Sequence, residues 1–288
     1  MATCGLLGIS RQVYYRSIRS AQRRKGTAQQ VVDLVSVIRL QMPRLGTKKL
    51  YYLLQKDLRV LGVGRDMLFR ILKANHMLIV PKRHYHITTN SHHRFRKHKN
   101  LIADVVPVEP EQIWVSDITY VGNRTNPIYL ALVTDAYSKK IMGYDVSDSL
   151  DTKGSIRALK MAIQNRCYKP NTLVHHSDRG LQYCSCPYQK VLKKANLGCS
   201  MTESYDPYAN AVAERVNGIL KAEFIGYNRA HKLPVIQQLV RDSINIYNDY
   251  RPHYSCYMKT PAQMHQQKEI KIRTYKNKSP SKRAFAGG

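Results

Sequence analysis

The sequence lacks the cysteine patterns of a disulfide-stapled or zinc-binding protein. Its six cysteines are scattered over 288 residues, with a single C-x-C at Cys184 and Cys186 and no C-x-x-C. We therefore expect reduced thiols and no zinc module. The N-terminus also lacks the apolar stretch of a signal peptide, and no run of about 18 apolar residues occurs, so we expect a cytoplasmic chain without a membrane span.

Acidic residues are few and unevenly placed. The chain holds 19 Asp and Glu against 47 Lys and Arg, which gives a net charge of +28 and a pI of about 10.0. Residues 1–100 carry 21 of the cations and 3 of the acids, so the acids concentrate in the remainder. This charge predicts a polyanionic partner such as nucleic acid, with a basic ribosome-like or merely soluble protein as the alternative.

The first 80 residues have the pattern of short basic helices. Ser10 is a candidate N-cap after the Gly-Ile turn, and we expect a short helical or helix-turn-helix remnant over 1–26. Apolar positions at helical spacing then predict a helix-turn-helix module over 27–80. In its last helix Arg65, Arg70 and Lys73 should point outward, where they could contact DNA, although a generic three-helix module is the alternative.

The remaining boundaries follow from composition. Residues 81–103 hold histidines and basic residues without an apolar period, and we interpret them as a basic linker along phosphate rather than as a metal site. Residues 104–266 alternate strand-like and helix-like segments: three antiparallel strands, then helix, strand, helix, strand and two further helices. This order predicts an α/β domain with a mixed sheet flanked by helices. Residues 267–288 are predicted to form a basic flexible tail.

Three carboxylates stand out in the predicted α/β domain. Asp117 lies in the strand-like WVSDITY, Asp178 ends the strand-like NTLVHHSD, and Glu214 lies on the helical NAVAERVNGILKAE. Sixty residues separate the first two and thirty-five the last two. Acids on converging elements form a site for hard divalent cations such as Mg²⁺, which prefer oxygen ligands.

Each acid alone has an ordinary explanation. Asp117 could be a surface-strand residue, Asp178 a turn residue and Glu214 an exposed helix residue. On the helix, Asn217 and Lys221 share the face of Glu214, which places them as candidate DNA contacts. Asp135 in VTDAYS is a further strand acid, for which we predict a structural role because the other three already complete a triad.

The ordered motifs together resemble one protein family. The motifs are similar to those of the DDE transposase and retroviral-integrase superfamily; they are WVSDITY, VTDAYSKKIMGY, HHSDRGLQYCS, NAVAERVNGILKAE and YNDYRPH. They are most similar to the second-reading-frame protein of the bacterial insertion-sequence-three type. The resemblance covers nearly the whole chain. It implies an RNase H-like catalytic core, preceded by helix-turn-helix modules, and it implies that Asp117, Asp178 and Glu214 are catalytic metal ligands.

The resemblance also implies a reaction. We expect metal-dependent DNA strand cleavage and strand transfer by attack of a 3′-OH on a phosphodiester, which makes the protein a polynucleotidyl transferase. Two Mg²⁺ or Mn²⁺ ions would serve it, with Asp117 bridging both and Asp178 and Glu214 each holding one. His176 and Arg179 are candidates to position phosphate, and Arg179 is also a candidate DNA contact.

The implied partners are element ends and target DNA, a multimer of the chain on DNA, and a protein or fusion from an upstream reading frame. We expect a bacterial, nucleoid-associated location. The chain departs from the family where Ala209 precedes Asn210 and where Gly218 stands four residues after the Glu. A helix-turn-helix regulator with an inert core and an RNase H-type or junction-cutting nuclease are the competing hypotheses.

Overall fold

The computed structural model describes residues 8–80, 98–102, 105–121, 127–168, 172–202, 210–226 and 232–272. The chain divides into two compact units, Met1–His86 with Lys221–Tyr227, and Ile87–Leu220 with Asn228–Gly288. Most of the predicted linker and most of the predicted tail lie outside the described residues. Among the described residues no helix is long and apolar enough to cross a membrane.

The first unit begins with four helices. They are α1 (Arg11–Gln41), α2 (Thr47–Leu53), α3 (Gln55–Val60) and α4 (Arg65–Ala74). Ser10 is the N-cap of α1, as predicted, and its side chain accepts a hydrogen bond from the Val13 backbone N–H. A small aliphatic core holds the helices together, with fully buried side chains at Val31, Val35, Leu45, Leu50, Leu58, Leu68 and Leu72.

The expected boundary between residues 26 and 27 falls inside helix α1. The structure has one continuous helix of 31 residues across that boundary. The segment contains no proline, and a helix tolerates an interior glycine such as Gly26 at a cost of about 1 kcal/mol. The basic residues before Gly26 therefore extend the helix rather than forming a separate tail.

The second unit contains a five-stranded mixed sheet in the order β3-β2-β1-β4-β5. The strands are β1 (Ile113–Tyr120), β2 (Tyr129–Asp135), β3 (Ile141–Ser147), β4 (Val174–Ser177) and β5 (Gly198–Met201). The first three pair antiparallel, while β4 runs parallel to β1 and β5. This is the mixed RNase H-like sheet that the sequence predicted.

Helices cover both faces of this sheet. They are α5 (Thr152–Gln164), α6 (Leu181–Cys184), α7 (Cys186–Lys194), α8 (Ala211–Leu220), α9 (Leu233–Asp249) and α10 (Pro261–His265). Successive residues of β1 pack on opposite faces of the sheet. Trp114 packs with Leu159 and Tyr188 of α5 and α7, while Val115 packs with Ala213 of α8. Of these helices, the four-residue α6 and the five-residue α10 were not predicted.

One glycine allows α5 to approach the sheet closely. A Cβ at Gly143 of β3 would lie 2.1 Å from the carbonyl oxygen of Ala158 and 2.6 Å from the nitrogen of Ala162. Only a residue without a side chain fits this contact between strand and helix backbones.

The YNDYRPH segment anchors the hairpin of β2 and β3. The Asn248 side chain donates to the carbonyl of Ile141 and accepts from its N–H, both at 3.0 Å. It therefore satisfies the backbone groups of Ile141 as a neighbouring strand would. The Tyr247 hydroxyl donates to the carbonyl of Lys139 in the hairpin turn. Arg251 is buried with its guanidinium over the Tyr247 ring. These residues of the motif are therefore framework residues in this fold.

Candidate active site

The parallel pairing of β1 and β4 brings the first two predicted acids together. Ser116 pairs with Ser177, and each is followed directly by an aspartate, Asp117 on β1 and Asp178 at the end of β4. The two carboxylates therefore lie at neighbouring positions on adjacent central strands. This position at the end of a parallel strand pair is a common location for ligand sites in α/β sheets.

Helix α8 supplies the third acid and is fixed to β1 on both sides of it. The Asn210 side chain, just before α8, donates to the carbonyl oxygen of Ser116 at 3.0 Å. One turn after Glu214, the Asn217 side chain donates to Asp117 Oδ2 at 2.7 Å. Glu214 lies four residues after Asn210 and three before Asn217, so these three residues share one helix face.

The pKa of Asp117 reflects this convergence. Burial raises the pKa of Asp117 to about 7, and the negative charges of Asp178 and Glu214 add to the rise, against hydrogen bonds from Asn217 and the Ile118 backbone. Burial also raises the pKa of Glu214. The ionised form of Asp117 is therefore disfavoured in the protein alone, and a bound cation would compensate its charge.

Asp178 is oriented by the turn that follows it. Its Oδ1 accepts the backbone N–H of Gly180 at 3.0 Å. A Cβ at Gly180 would lie 3.0 Å from the same oxygen, so the turn closes tightly around the carboxylate. Arg179, predicted to contact phosphate, lies half-buried between these two residues.

Two predicted contacts are corrected by burial. Asn217, expected to contact DNA, is only 4% exposed and holds Asp117 instead. His176, expected to position phosphate, is fully buried, with Nδ1 2.9 Å from the Ser200 hydroxyl. Both side chains are buried, so neither is accessible to a polymer such as DNA.

The neighbouring His175 is also structural. Its Nε2 lies 2.7 Å from the Ser116 hydroxyl and 2.9 Å from the Tyr188 hydroxyl. Burial, with the adjacent His176, lowers the pKa of His175 to about 3, so its ring is neutral. It supports β1 one residue before Asp117.

The other predicted basic contacts lie in the first unit. Arg65, Arg70 and Lys73 are exposed on α4, as the sequence predicted. Arg65 also pairs with the adjacent Asp66 at 2.9 Å. Lys221 is half-buried and begins a π-helical turn, Lys221–Ile225, that directly continues α8.

Asp135 belongs to a separate buried cluster. Its carboxylate accepts hydrogen bonds from the Glu111 N–H and from the N–H and hydroxyl of Ser138, each at 2.7 Å. These contacts at the β2–β3 turn agree with the structural role predicted for it.

Glu111, which the sequence did not single out, is central to the same cluster. It accepts the N–H groups of Cys167 and Tyr168 and pairs with Arg166 and His265. Glu111, Cys167 and His265 have donor atoms close enough together to hold a metal ion. Both Glu111 oxygens already accept hydrogen bonds, however, and the adjacent guanidinium opposes a cation, so the cluster fits a structural role.

Comparisons with known proteins agree with this geometry. Two family models, both described as an integrase core domain, match residues 107–207 and 195–261. The IS600 uncharacterized 31 kDa protein of Shigella sonnei is 32% identical over 256 residues, covering 87% of this chain and 92% of the relative. The chain belongs to the insertion-sequence transposases with an integrase core. This finding confirms the family resemblance drawn from the motifs.

Other transposases align over part of their length. The transposase of IS629 from Shigella sonnei is 41% identical over 120 residues, 42% of this chain and 40% of the relative. Transposase InsF of IS3A from Escherichia coli is 35% identical over 155 residues, 54% of each protein. A chain of the simian T-cell lymphotropic virus intasome, solved in complex with PP2A regulatory subunit B56 gamma, has a TM-score of 0.50 at 20% identity, covering 82% of this chain and 81% of its own, and supports the fold alone.

Proposed function

We propose that this transposase cuts and joins DNA strands in a metal-dependent reaction at Asp117, Asp178 and Glu214. The observation that carries the proposal is the pairing of Ser116 with Ser177, after which the two aspartates lie side by side. The helix bearing Glu214 is fixed to the same strand by Asn210 and Asn217.

The donor set fits a divalent cation. Carboxylate oxygens are the ligands that Mg²⁺ and Mn²⁺ prefer, and the raised pKa of Asp117 means that its negative charge lacks compensation in the protein alone. A bound ion would supply Lewis-acid stabilisation of the phosphate and activation of the attacking oxygen. We propose that Asp117, Asp178 and Glu214 would together hold two such ions, the number that the family resemblance implies.

The protein's own part is orientation. Asn217 holds Oδ2 of Asp117, and the Ile118 N–H holds Oδ1 at 2.9 Å. The Gly180 N–H fixes one oxygen of Asp178. Carboxylates held in this way keep their ligand geometry when a phosphate arrives, so little reorganisation is needed during the reaction.

We further propose that the DNA substrates are the element's ends and the target. The exposed Arg65, Arg70 and Lys73 would bind phosphate or base edges through α4, and Arg179 would bind phosphate near the acids. Lys221 is a further candidate phosphate contact in the first unit. Joining two ends requires at least two copies on DNA, and a fusion with an upstream-frame protein could supply further end recognition.

The test is strand cleavage and strand transfer on labelled element ends. The nearly isosteric variants Asp117→Asn, Asp178→Asn and Glu214→Gln should each lose joining by more than about a thousandfold while binding DNA normally. Asp242→Asn, which changes an exposed acid on α9, is the matched control and should join at the wild-type rate. EDTA should abolish joining, and Mg²⁺ should restore it.

Other outcomes separate the competing hypotheses. Cleavage without joining would assign a nuclease, and binding without either reaction would assign a regulator unless a fusion with the upstream frame restores joining. Normal joining by any of the three variants would contradict the proposed site.

A further inference from the structure

The N-terminal half of α1 is largely exposed among the residues that the structure describes. Residues 11–26 are exposed except for Ile18 and Ser20, which are half-buried, and burial in α1 begins only at Val31. A helix of this length is marginally stable in water unless something packs against it. The exposed face of this segment is therefore available to a partner that would stabilise the helix.

Its charge is of one sign. From Gly8 to Gly26 the sequence holds five arginines and one lysine and no Asp or Glu; the first acid of the chain is Asp33. No acid is available for a stabilising pair at helical spacing, and like charges three or four residues apart destabilise a helix by about 0.2–0.5 kcal/mol each.

Three of the arginines share one face. Arg16, Arg19 and Arg23 lie at positions i, i+3 and i+7, so their side chains project from the same side of the helix over about 10 Å. Within the described residues none of the three pairs with a carboxylate. Lys25 projects from the opposite side of α1, together with Tyr14 and Ile18, while Arg24 lies between the two sides.

We propose that the Arg16–Arg19–Arg23 face of α1 binds the phosphate backbone of duplex DNA, separately from the predicted recognition helix α4. Charge complementarity selects this partner: duplex DNA carries about one negative charge per 1.7 Å of its axis, so several phosphates lie within the span of the three guanidinium groups. Arginine suits the contact because its fork of donors matches a phosphate. The proposal rests on the DNA-binding function proposed above and adds a second contact surface to it.

The experiment compares two double variants with equal loss of charge. Arg19→Gln/Arg23→Gln removes two groups of the proposed face, and Arg24→Gln/Lys25→Gln removes two charges beside it. Binding of the full chain to a duplex of arbitrary sequence is measured in EDTA over a series of salt concentrations, so that no cleavage occurs. Circular dichroism of the free proteins checks that both variants keep the wild-type helix content.

The face variant should reduce the slope of log affinity against log salt concentration by about two, and the control by less than one. Wild-type helix content should also rise when the duplex is added. Equal slopes for the two variants, or a wild-type slope in the face variant, would overturn the proposal. A dimer formed through Tyr14 and Ile18 with an unchanged salt slope would overturn it as well, because α1 would then bind a second copy.

These outcomes are separable from the proposed reaction, since binding in EDTA does not involve the three acids. If the face variant binds and joins ends like the wild type, α1 is not a DNA contact but the transposase assignment stands. If the acid variants still join ends while the face variant has a reduced salt slope, α1 is a DNA contact but the three acids are not the active site.

Discussion

The Asn217 amide donates to Asp117 Oδ2 at 2.7 Å, and this contact ties the helix of one proposed metal ligand to the side chain of another. Because Asn217 is nearly fully buried, its role is to position a carboxylate rather than to contact substrate. The geometry of the acid cluster therefore depends on a residue that does not itself carry charge.

Asn217→Ala should lower strand transfer by about 10- to 100-fold, the usual cost of losing a residue that orients a metal ligand. The Mg²⁺ concentration for half-maximal activity should rise, while DNA affinity stays unchanged. Gln238→Ala, which removes an exposed amide from α9, is the control. Loss of DNA affinity with unchanged metal dependence would show that Asn217 is a DNA contact after all.

Gly143→Ala should destabilise the second unit by at least about 3 kcal/mol, because the new methyl group would overlap the backbone of α5. Chemical denaturation monitored by Trp114 fluorescence measures this loss, since Trp114 is fully buried in the same core. A change of less than about 1 kcal/mol would mean that α5 does not approach β3 so closely.

Gly26→Ala should stabilise the protein, in contrast to Gly143→Ala. A Cβ at this interior helix position meets nothing within 4 Å, and Gly26 has no left-handed backbone. Alanine should therefore stabilise α1 by about 0.5–1 kcal/mol and raise helix content by circular dichroism. A fall in helix content would argue that the helix is interrupted at residue 26.

His265→Gln should change how stability depends on pH. Burial alone would lower the pKa of His265, but Asp135 and Glu111 outweigh it and raise this pKa above the ordinary 6.5. The protonated ring therefore stabilises the fold below about pH 6.5, and this contribution is lost as the pH rises through the folded-state pKa. The stability difference between wild type and variant, measured by urea unfolding, should shrink as the pH rises above the ordinary histidine pKa of about 6.5. A constant difference would contradict a protonated His265.

Asn248→Ala should cost about 2 kcal/mol, because it leaves the Ile141 N–H and carbonyl without their partner at the edge of β3. Asn248→Asp keeps the acceptor for the N–H but puts a negative charge against the carbonyl, so it should be at least as destabilising. Equal stability of all three proteins would remove the anchoring role of this residue.

The placement of the candidate acids on a strand and a helix could be predicted because it follows from local sequence periodicity. The two-residue period of WVSDITY places Asp117 and Trp114 on opposite faces of β1, and the helical period of NAVAERVNGILKAE places Glu214 beside the buried stripe. The hydrogen bonds of Asn210 and Asn217 could not be predicted, since they depend on how closely α8 packs against β1. The role of Glu111 could not be predicted either. Its backbone is left-handed, and its buried partners come from distant segments of the chain.

The sequence does contain a signal for helix α10, which was not predicted. Thr260 and Gln263 form a capping box at the start of α10, and Pro261 follows the cap, a pattern that predicts a helix start. The continuity of α1 was hidden because Gly26 and a run of cations look like a boundary, whereas propensity costs of this size do not break a helix without proline.

The length of α1 has a consequence for how a DNA end would be read. Its 31 residues extend about 46 Å, and the part before Val31 alone extends about 30 Å, the length of about nine base pairs. If the Arg16–Arg19–Arg23 face binds a duplex as proposed, nuclease protection would extend beyond the base pairs within reach of α4, and on one side only. Protection of this kind would be asymmetric. It would distinguish the side of the bound site that belongs to the mobile element from the side that belongs to the flanking chromosome.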